Sequence, residues 1–591
     1  MQHLEQEVKL EVGPDWSLPD LSGALPGAQA IPVAPVDLEA TYYDTADQRL
    51  TARHITMRYR RESEDAGPRG RGQGRQVKVA HIWTVKLPSK VEGTALSRTE
   101  VSWEAGDGPA GSRRRTAPTP LADAVQFVAA ITLGEPLRPI ARLVTARRRT
   151  ELRTSDGRVL AEIDHDTVTG TNLVPPPGGG EPGPPVSFTE VEVELGEGSA
   201  LEVLDAIASN LVAAGARHST RRGKLMTVLA QNPAFASAAL ETATPRKRRW
   251  RGTATMASVL QEQARACFDV LVEHDPAIRL GDPDPEHIHR SRVATRRLRS
   301  VLRAFGPLVD NGAGTWPSDE GPDLGALDAE AWFAALNREL GWLGKVMGHA
   351  RDTDVRVLAL EEACAGLGPK DGPGAASILQ AARDEQRAAH DDLLETMATE
   401  RYRLCLRAVE ALGRSPWAPA AAELPVELWG RLAQPAATGM PALGRRQWRA
   451  LRKAVRRLGH PPSDDALHKV RIHAKRVRYI AELAAPVLSL AANRRAADHT
   501  VKAATELQDV LGHLHDGAVN EQWLRDLSSR APGPARRGRP EAAVPTALAA
   551  GQLVAQARLS QQADRQAWPS AWGRLDDKKT TGWVAAGRAK K

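Results

Sequence analysis

Polar and apolar positions alternate with a period of two through roughly the first 230 residues. Glu5, Glu7, Lys9 and Glu11 alternate with Val8, Leu10 and Val12, and Thr84 and Lys86 alternate with Trp83, Val85 and Leu87. Arg58 and Arg60 mark another such segment. Glu162, Asp164 and Asp166 flank Ile163, and Glu190, Glu192 and Glu194 alternate with Val191, Val193 and Leu195. This spacing predicts strands with one apolar and one charged face. Two Gly/Pro-rich stretches, Ser63–Gln76 and Thr171–Val186, read as loops between them. From Met256 onward the period changes to that of helices rich in Ala, Leu and Arg, interrupted near Gly306–Leu324, Gly366–Gly374 and Gly413–Leu443. The expected organisation is a β-rich domain over 1–230, a linker over 231–253 with the basic cluster Arg246–Arg249, and an all-α bundle over 254–528. The Pro-, Arg-, Ala- and Gln-rich remainder, 529–591, reads as a disordered tail despite Trp568, Trp572 and Trp583.

The helical half contains an internal duplication. His289, Arg292, Arg296, Arg297 and Arg299 align with His468, Arg471, Lys475, Arg476 and Arg478, so each His is followed by a cation at +3, +7, +8 and +10. At about 100° per residue, positions 0, +3, +7 and +10 share one helix face. A solvated helix face normally mixes signs, because like charges one turn apart repel. Two unmixed faces therefore imply an anionic partner. A second pair of segments follows at a similar distance: Val346-Met347-Gly348-His349 with Asp352, and Val510-Leu511-Gly512-His513 with Asp516. Both read as turns whose His residues bond a helix end. About four helices per repeat, duplicated, give the bundle.

Composition sharpens this picture at a few points. The chain has 591 residues and a formal net charge of +8, and between Arg445 and Arg478 twelve Lys/Arg face two acids, Asp464 and Asp465. Cys267, Cys364 and Cys405 are too few and scattered for a disulfide framework or a zinc site. No apolar run reaches the length of a membrane span and the first twelve residues are polar, so a soluble cytoplasmic protein without a membrane partner is expected.

Charged strand faces are ordinarily solvated. Here they are sorted by sign, some acidic and others basic, and a sheet closed into an antiparallel barrel with these faces inward would be a charged tunnel. Lys9, Arg58, Arg60, Lys86 and one or two of Arg147–Arg149 would then bind a multiply charged anion, and the carboxylates a divalent cation. Mg²⁺ suits carboxylates, waters and phosphate oxygens in octahedral array. Three adjacent arginines leave the register at 147–149 open, because a one-residue slip reverses every side chain.

Glu5-Gln6-Glu7-Val8-Lys9 matches the ExExK signature of the CYTH domain, the triphosphate tunnel metalloenzyme family. Further marks resemble that family in order: Tyr43-Asp44-Thr45, Arg58-Tyr59-Arg60, Thr84-Val85-Lys86, Arg98 with Glu100, Arg147–Arg149, Glu162-Ile163-Asp164 and Glu190–Glu194. The duplicated His/Arg/Lys helices, over about 250–530, resemble the CHAD domain, the conserved histidine α-helical domain. The resemblance implies a multidomain α+β chain. It would have an antiparallel β-barrel tunnel with flanking helices that acts on triphosphates with Mg²⁺ or Mn²⁺, followed by a helical duplication that binds inorganic polyphosphate. Glu5, Glu7, Glu192 and Glu194, with Glu162 and Asp164 as further acids, become candidate metal ligands. Lys9, Arg58, Arg60, Lys86, Arg147 and Arg149 become phosphate clamps. Glu100 and Glu190 could instead hold neighbouring cations in place. His289, Arg292, Arg296, Arg297, Arg299, His468, Arg471, Lys475, Arg476 and Arg478 would contact polyphosphate, with association to polyphosphate granules as one consequence. Sequence-specific nucleic acid fits poorly, since Phe305, Trp448 and Tyr479 form no stacking array. The expected activity is hydrolysis of a triphosphate, inorganic triphosphate first. The alternatives are a non-catalytic polyphosphate-binding protein and, last, an adenylate cyclase.

Overall fold

The computed structural model describes residues 2–21, 23–68, 75–88, 90–92, 95–105, 118–175, 183–220, 223–230, 254–309, 329–414, 432–529 and 543–585. The chain divides into two compact units, Met1–Lys247 and Arg248–Lys591. The division falls in the expected linker, which lies outside the described residues together with Arg246–Arg249.

In the first unit the alternating segments form β1 (Gln2–Glu11), β2 (Gln29–Pro32), β3 (Val36–Asp44), β4 (Thr56–Pro68), β5 (Arg75–Lys86), β6 (Lys90–Glu92), β7 (Ala95–Glu104), β8 (Arg138–Arg153), β9 (Val159–Asn172), β10 (Val186–Leu195) and β11 (Arg217–His218). Eight of them run in the order β1-β10-β9-β8-β3-β4-β5-β7, and β7 pairs back onto β1, so the sheet closes as an antiparallel barrel. Closure pairs every backbone edge and separates an inner from an outer face. The stretch at Ser63–Gln76 departs from the loop reading: β4 continues to Pro68 and β5 begins at Arg75. Outside the barrel, Val8, Leu10, Ile163, Val191 and Val193 pack with Leu204, Ile207 and Leu211 of α3 (Glu202–Ala213), after two short helices, α1 (Ala122–Phe127) and α2 (Ala129–Thr132). α4 (Lys224–Leu229) is different, since its Leu225, Val228 and Leu229 cluster with Ala40, Tyr42, Leu143 and Val168. Gly170 is required there, because a Cβ would lie 2.2 Å from Val228 Cγ2.

The second unit contains, among the described residues, α5 (Met256–Arg279), α6 (Glu286–Val309), α7 (Ala329–Ala365), α8 (Gly372–Ala398), α9 (Glu400–Gly413), α10 (Ala436–Arg456), α11 (Asp464–Ala484), α12 (Ala491–Ser529), α13 (Ala543–Leu575) and α14 (Lys578–Thr581). The neighbour pattern repeats. α5 packs on α6, α6 on α7, α7 on α8, and α9 returns to α5; α10 packs on α11, α11 on α12, and α12 on α13, while the turn Gly582–Ala585 returns to α10.

Two expectations are corrected here. The stretch read as a disordered tail supplies the fourth helix of the second repeat and its closing segment. Ala549, Ala550, Leu553, Ala571 and Leu575 are buried, and Trp583 is fully buried, its Nε1 donating to Thr500 Oγ1 at 2.8 Å. Trp448 stacks on Trp572 with centroids 5.7 Å apart. An Ala- and Gln-rich segment is a strong helix former and needs few large side chains to pack closely. The Gly-His-Asp segments are not turns: Gly348–Asp352 and Gly512–Asp516 lie within α7 and α12, with His349 and His513 exposed. No helix among the described residues is long and apolar enough to cross a membrane.

Candidate active site and anion-binding face

Barrel parity turns the charged faces inward around a cavity of about 380 Å³. The expected residues Glu5, Lys9, Arg58, Arg60, Lys86, Arg147, Arg149, Glu162, Glu192 and Glu194 all line it, while Glu7 and Asp164 lie behind the lining in ion pairs. Pairing of Arg147 with Asp166 and Arg149 with Asp164 across β8 and β9 resolves the triple-arginine register, since Arg148 is exposed.

Most of the acids are already partnered by cations of this chain. Glu5 accepts from Lys86 Nζ at 2.7 and 2.8 Å and from Arg98 Nε at 2.6 Å. Burial opposes its charge, yet Lys86 and Arg98 hold its pKa well below the usual carboxylate range. Glu7 pairs with Lys9 at 2.9 Å and with Arg98. Arg147 donates to both oxygens of Asp166 at 2.9 and 2.7 Å, and Arg149 to both of Asp164 at 2.8 Å, the bidentate geometry that guanidinium favours. Lys86 also meets Glu100 at 2.8 Å, so Glu100, with its pKa lowered to about 2, acts as a support for cations.

The surplus charges lie elsewhere. Arg58 and Arg60 project from β4 into the cavity, and burial together with Arg58 lowers the pKa of Arg60. Tyr42 is buried, yet its hydroxyl is made more acidic by its hydrogen bond and proximity to Arg58. The acid surplus is at Glu194, whose pKa is pushed up to about 7 by burial and by Glu5, Glu162 and Glu7, against the pull of Lys86. Glu162 is raised as well, chiefly by burial. One tunnel thus holds a guanidinium, Arg60, whose charge is opposed by burial and Arg58 although it pairs with Glu62, and carboxylates whose charge is opposed in turn.

Sequence reasoning missed Lys224 as a site residue. Its Nζ lies 3.0 Å from Asp166, 2.7 Å from Glu190 and 2.6 Å from Glu192, at the head of the helix that fills one barrel end. The oxygens of those three acids lie within 4.8 Å of one another, spacing that suits a metal, but the ammonium occupies the position between them. A six-residue helix carries no periodic signal that would have exposed Lys224.

In the helical unit α6 and α11 pack together and bring the two basic faces into one neighbourhood. Burial and the charges of Arg296, Arg471 and Arg292 push the pKa of Lys475 down to about 6. Neither Lys475 nor Arg296 forms an ion pair with a described carboxylate, whereas Arg292 meets Asp352 at 3.0 Å and Arg471 meets Asp516 at 3.8 Å. His468 lies against His515 with ring centroids 4.0 Å apart, and burial, His515, Arg471 and Lys475 lower its pKa to about 4. His289 is lowered too, by burial and then Arg351. Arg299 and Arg476 lie near one another. Arg297 of α6 reaches across to Glu482 of α11 at 3.0 Å, and Arg478 meets the same Glu482 one turn along α11 at 3.7 Å.

Comparison with known proteins agrees with this division. The CYTH domain family matches residues 3–214, and the CHAD domain family matches 262–320 and 324–525. The uncharacterized protein Rv2226 of Mycobacterium tuberculosis is 26% identical over 535 residues, covering 88% of either chain. Among solved structures, the CHAD domain from the plant Ricinus communis is 21% identical, covering 56% of this chain and 97% of its own, with a TM-score of 0.41. The putative adenylyl cyclase HpAC1 from Hippeastrum, described as having a dominant triphosphatase activity, is 15% identical, covering 39% and 96%, with a TM-score of 0.21. A closed barrel lined by sorted charges, followed by a duplicated basic helical bundle, makes this chain a CYTH–CHAD protein, a member of the triphosphate tunnel family.

Proposed function

We propose that the tunnel hydrolyses a triphosphate, inorganic triphosphate first, and that the helical unit binds inorganic polyphosphate. The observation that carries the first part is the coexistence, inside one closed barrel, of a cluster of cations that crowds Arg60 and of carboxylates short of cations. Arg58 and Arg60, with Lys86, Arg147, Arg149 and Lys9, fit a chain of phosphates, Arg by its fork and Lys as a point charge. The acid surplus around Glu194 fits a hard divalent ion, and its donors are all carboxylate oxygens. Glu5, Glu7, Glu192 and Glu194, flanked by Glu162 and Asp164, would hold Mg²⁺ or Mn²⁺, which supplies charge neutralisation at the phosphate oxygens and a more acidic water. The protein's own work is positioning: its cations hold the phosphates in line and match the charge that develops on them.

For the helical unit, the carrying observation is that Arg296 and Lys475 lie near Arg292 and Arg471 and pair with no described carboxylate. A linear polyanion without bases neutralises that cluster and leaves the scarcity of stacking aromatics without consequence.

The test is phosphate release by the purified protein from inorganic triphosphate, ATP and thiamine triphosphate, with and without Mg²⁺ or Mn²⁺. Metal-dependent turnover that is lost in Glu5→Gln/Glu7→Gln supports the enzyme. No turnover on any of the three, with polyphosphate binding intact, makes the protein a binding module whose tunnel holds a chain end.

A further inference from the structure

The Gly-x-x-x-Asp spacing that recurs in α7 and α12 has a geometric role at the basic helices. An added Cβ at Gly348 would lie 3.4 Å from Arg292 Nε, and one at Gly512 would lie 2.9 Å from Arg471 Nη2 and 3.3 Å from its Cζ. Each guanidinium therefore lies against the bare backbone of the neighbouring long helix. One turn further on, at i+4 and so on the same face, Asp352 takes Arg292 Nη2 at 3.0 Å and Asp516 lies 3.8 Å from Arg471 Nη1. The Nε atoms of Arg292 and Arg471 are buried without a hydrogen-bond partner among the described residues. These arginines are held by shape and by one carboxylate each, which leaves guanidinium donors unspent.

We propose that Gly348 with Asp352, and Gly512 with Asp516, are positioning residues: in each repeat they form a cradle that fixes one arginine in the orientation in which it meets a phosphate chain. This rests on the reading of the helical unit as a polyphosphate binder. Without the cradle, an arginine must be ordered at the moment of binding, at the entropic cost of its rotatable bonds. The glycine provides the seat, tightly at Gly512, where a Cβ would press on Arg471, and more loosely at Gly348, where it would touch Arg292 at 3.4 Å; the aspartate supplies the opposite charge beside each guanidinium. Gly344 of α7 is the natural contrast, because a Cβ there would meet only Thr295 Cγ2, at an ordinary 3.6 Å.

The experiment is a double-mutant cycle on the full chain, with linear sodium polyphosphate as the probe and affinity measured over a salt series. Gly512→Ala is expected to weaken binding by about tenfold, the effect of disordering one charge-assisted contact. Gly344→Ala is expected to bind as the parent does. In an Arg471→Ala background Gly512→Ala should cost nothing further, because the side chain it displaces is gone. Equal losses in both backgrounds would mean that Gly512 serves helix packing alone, and no loss in either would mean that Arg471 needs no cradle; each overturns the proposal. Where Gly512→Ala yields no folded protein, Asp516→Asn adds no volume and must show the same dependence on Arg471. A parent protein that binds no polyphosphate even at low salt refutes the polyphosphate reading itself, a result distinct from a parent that binds and variants that bind equally well.

Discussion

Lys475 and Lys224 are buried lysines with opposite surroundings, and they make opposite predictions. Lys475 sits among Arg292, Arg296 and Arg471, and its pKa is depressed from 10.5 to about 6. The unfolded chain holds that proton up to pH 10.5 while the folded chain releases it above about 6, so the group's contribution to stability falls as pH drops between those values. A bound polyanion favours the charged form, so binding takes up a proton. Polyphosphate affinity is therefore expected to rise as pH falls from 8 to 6, and the slope should flatten in Lys475→Met when dissociation constants are measured across that range. His468, at about 4, and the lowered His515 add to the site's charge only toward the acid end; the carboxylates facing this cluster are Asp352 and Asp516. Lys224, by contrast, neutralises three buried acids. Lys224→Met leaves Glu190 without its cation, beside Asp166 and Glu192, which keep Arg147 and Lys9, and an uncompensated buried carboxylate of this kind costs about 3–5 kcal/mol. Chemical denaturation of the variant beside the parent protein would measure the loss.

The element whose role differs most from its sequence is the segment that ends in Trp583. Its indole fills the space above Gly444, where a Cβ would come within 2.2 Å of the ring, and Arg445 Nε donates to Val584 O at 2.9 Å. Trp583→Ala is expected to destabilise the helical unit by about 3–5 kcal/mol, the usual cost of emptying a site of that size, read from its thermal unfolding. Ending the chain before α13 should have a larger effect, because it uncovers the apolar partners on α7, α8 and α12, including Val357, Ile378 and Leu524. Such a chain is expected to aggregate on expression. The same element explains why patterning failed there. Burial in α13 depends mostly on alanine, whose apolar signal is weak, so a packed helix and a low-complexity tail look alike in sequence.

At the scale of the whole molecule, the proposed function assigns the two units two kinds of anion chemistry. Glu5→Gln/Glu7→Gln should lower triphosphate turnover by at least about 100-fold, the scale of losing transition-state charge stabilisation, and leave polyphosphate affinity unchanged. Neutralising Arg292, Arg296, Arg471 and Lys475 together should weaken polyphosphate binding and flatten its salt dependence, because fewer counterions are released, with triphosphate turnover kept. Measuring both activities on both variants gives a two-by-two comparison, and identical phenotypes would remove the division of labour.

Period-two alternation was enough to determine which strand residues share a face, except at Arg147–Arg149; closure of the barrel then turned the charged face inward. The repeated His, Arg and Lys spacing likewise determined two basic helix faces before any coordinates. Only the tertiary structure could decide which charges within those sets are spent on one another. Glu5 and Asp164 are neutralised by Lys86, Arg98, Arg147 and Arg149, whereas the charges of Glu194 and Arg60 are opposed by their surroundings, and that outcome depends on distances across the barrel. It also took tertiary structure to bring Lys224 into the acid cluster, to pair Arg297 with Glu482, and to set Gly512 against Arg471. Alternation and helical periodicity record the neighbours of a residue along its own element; the electrostatics of these sites arise between elements, where the sequence carries no spacing to read.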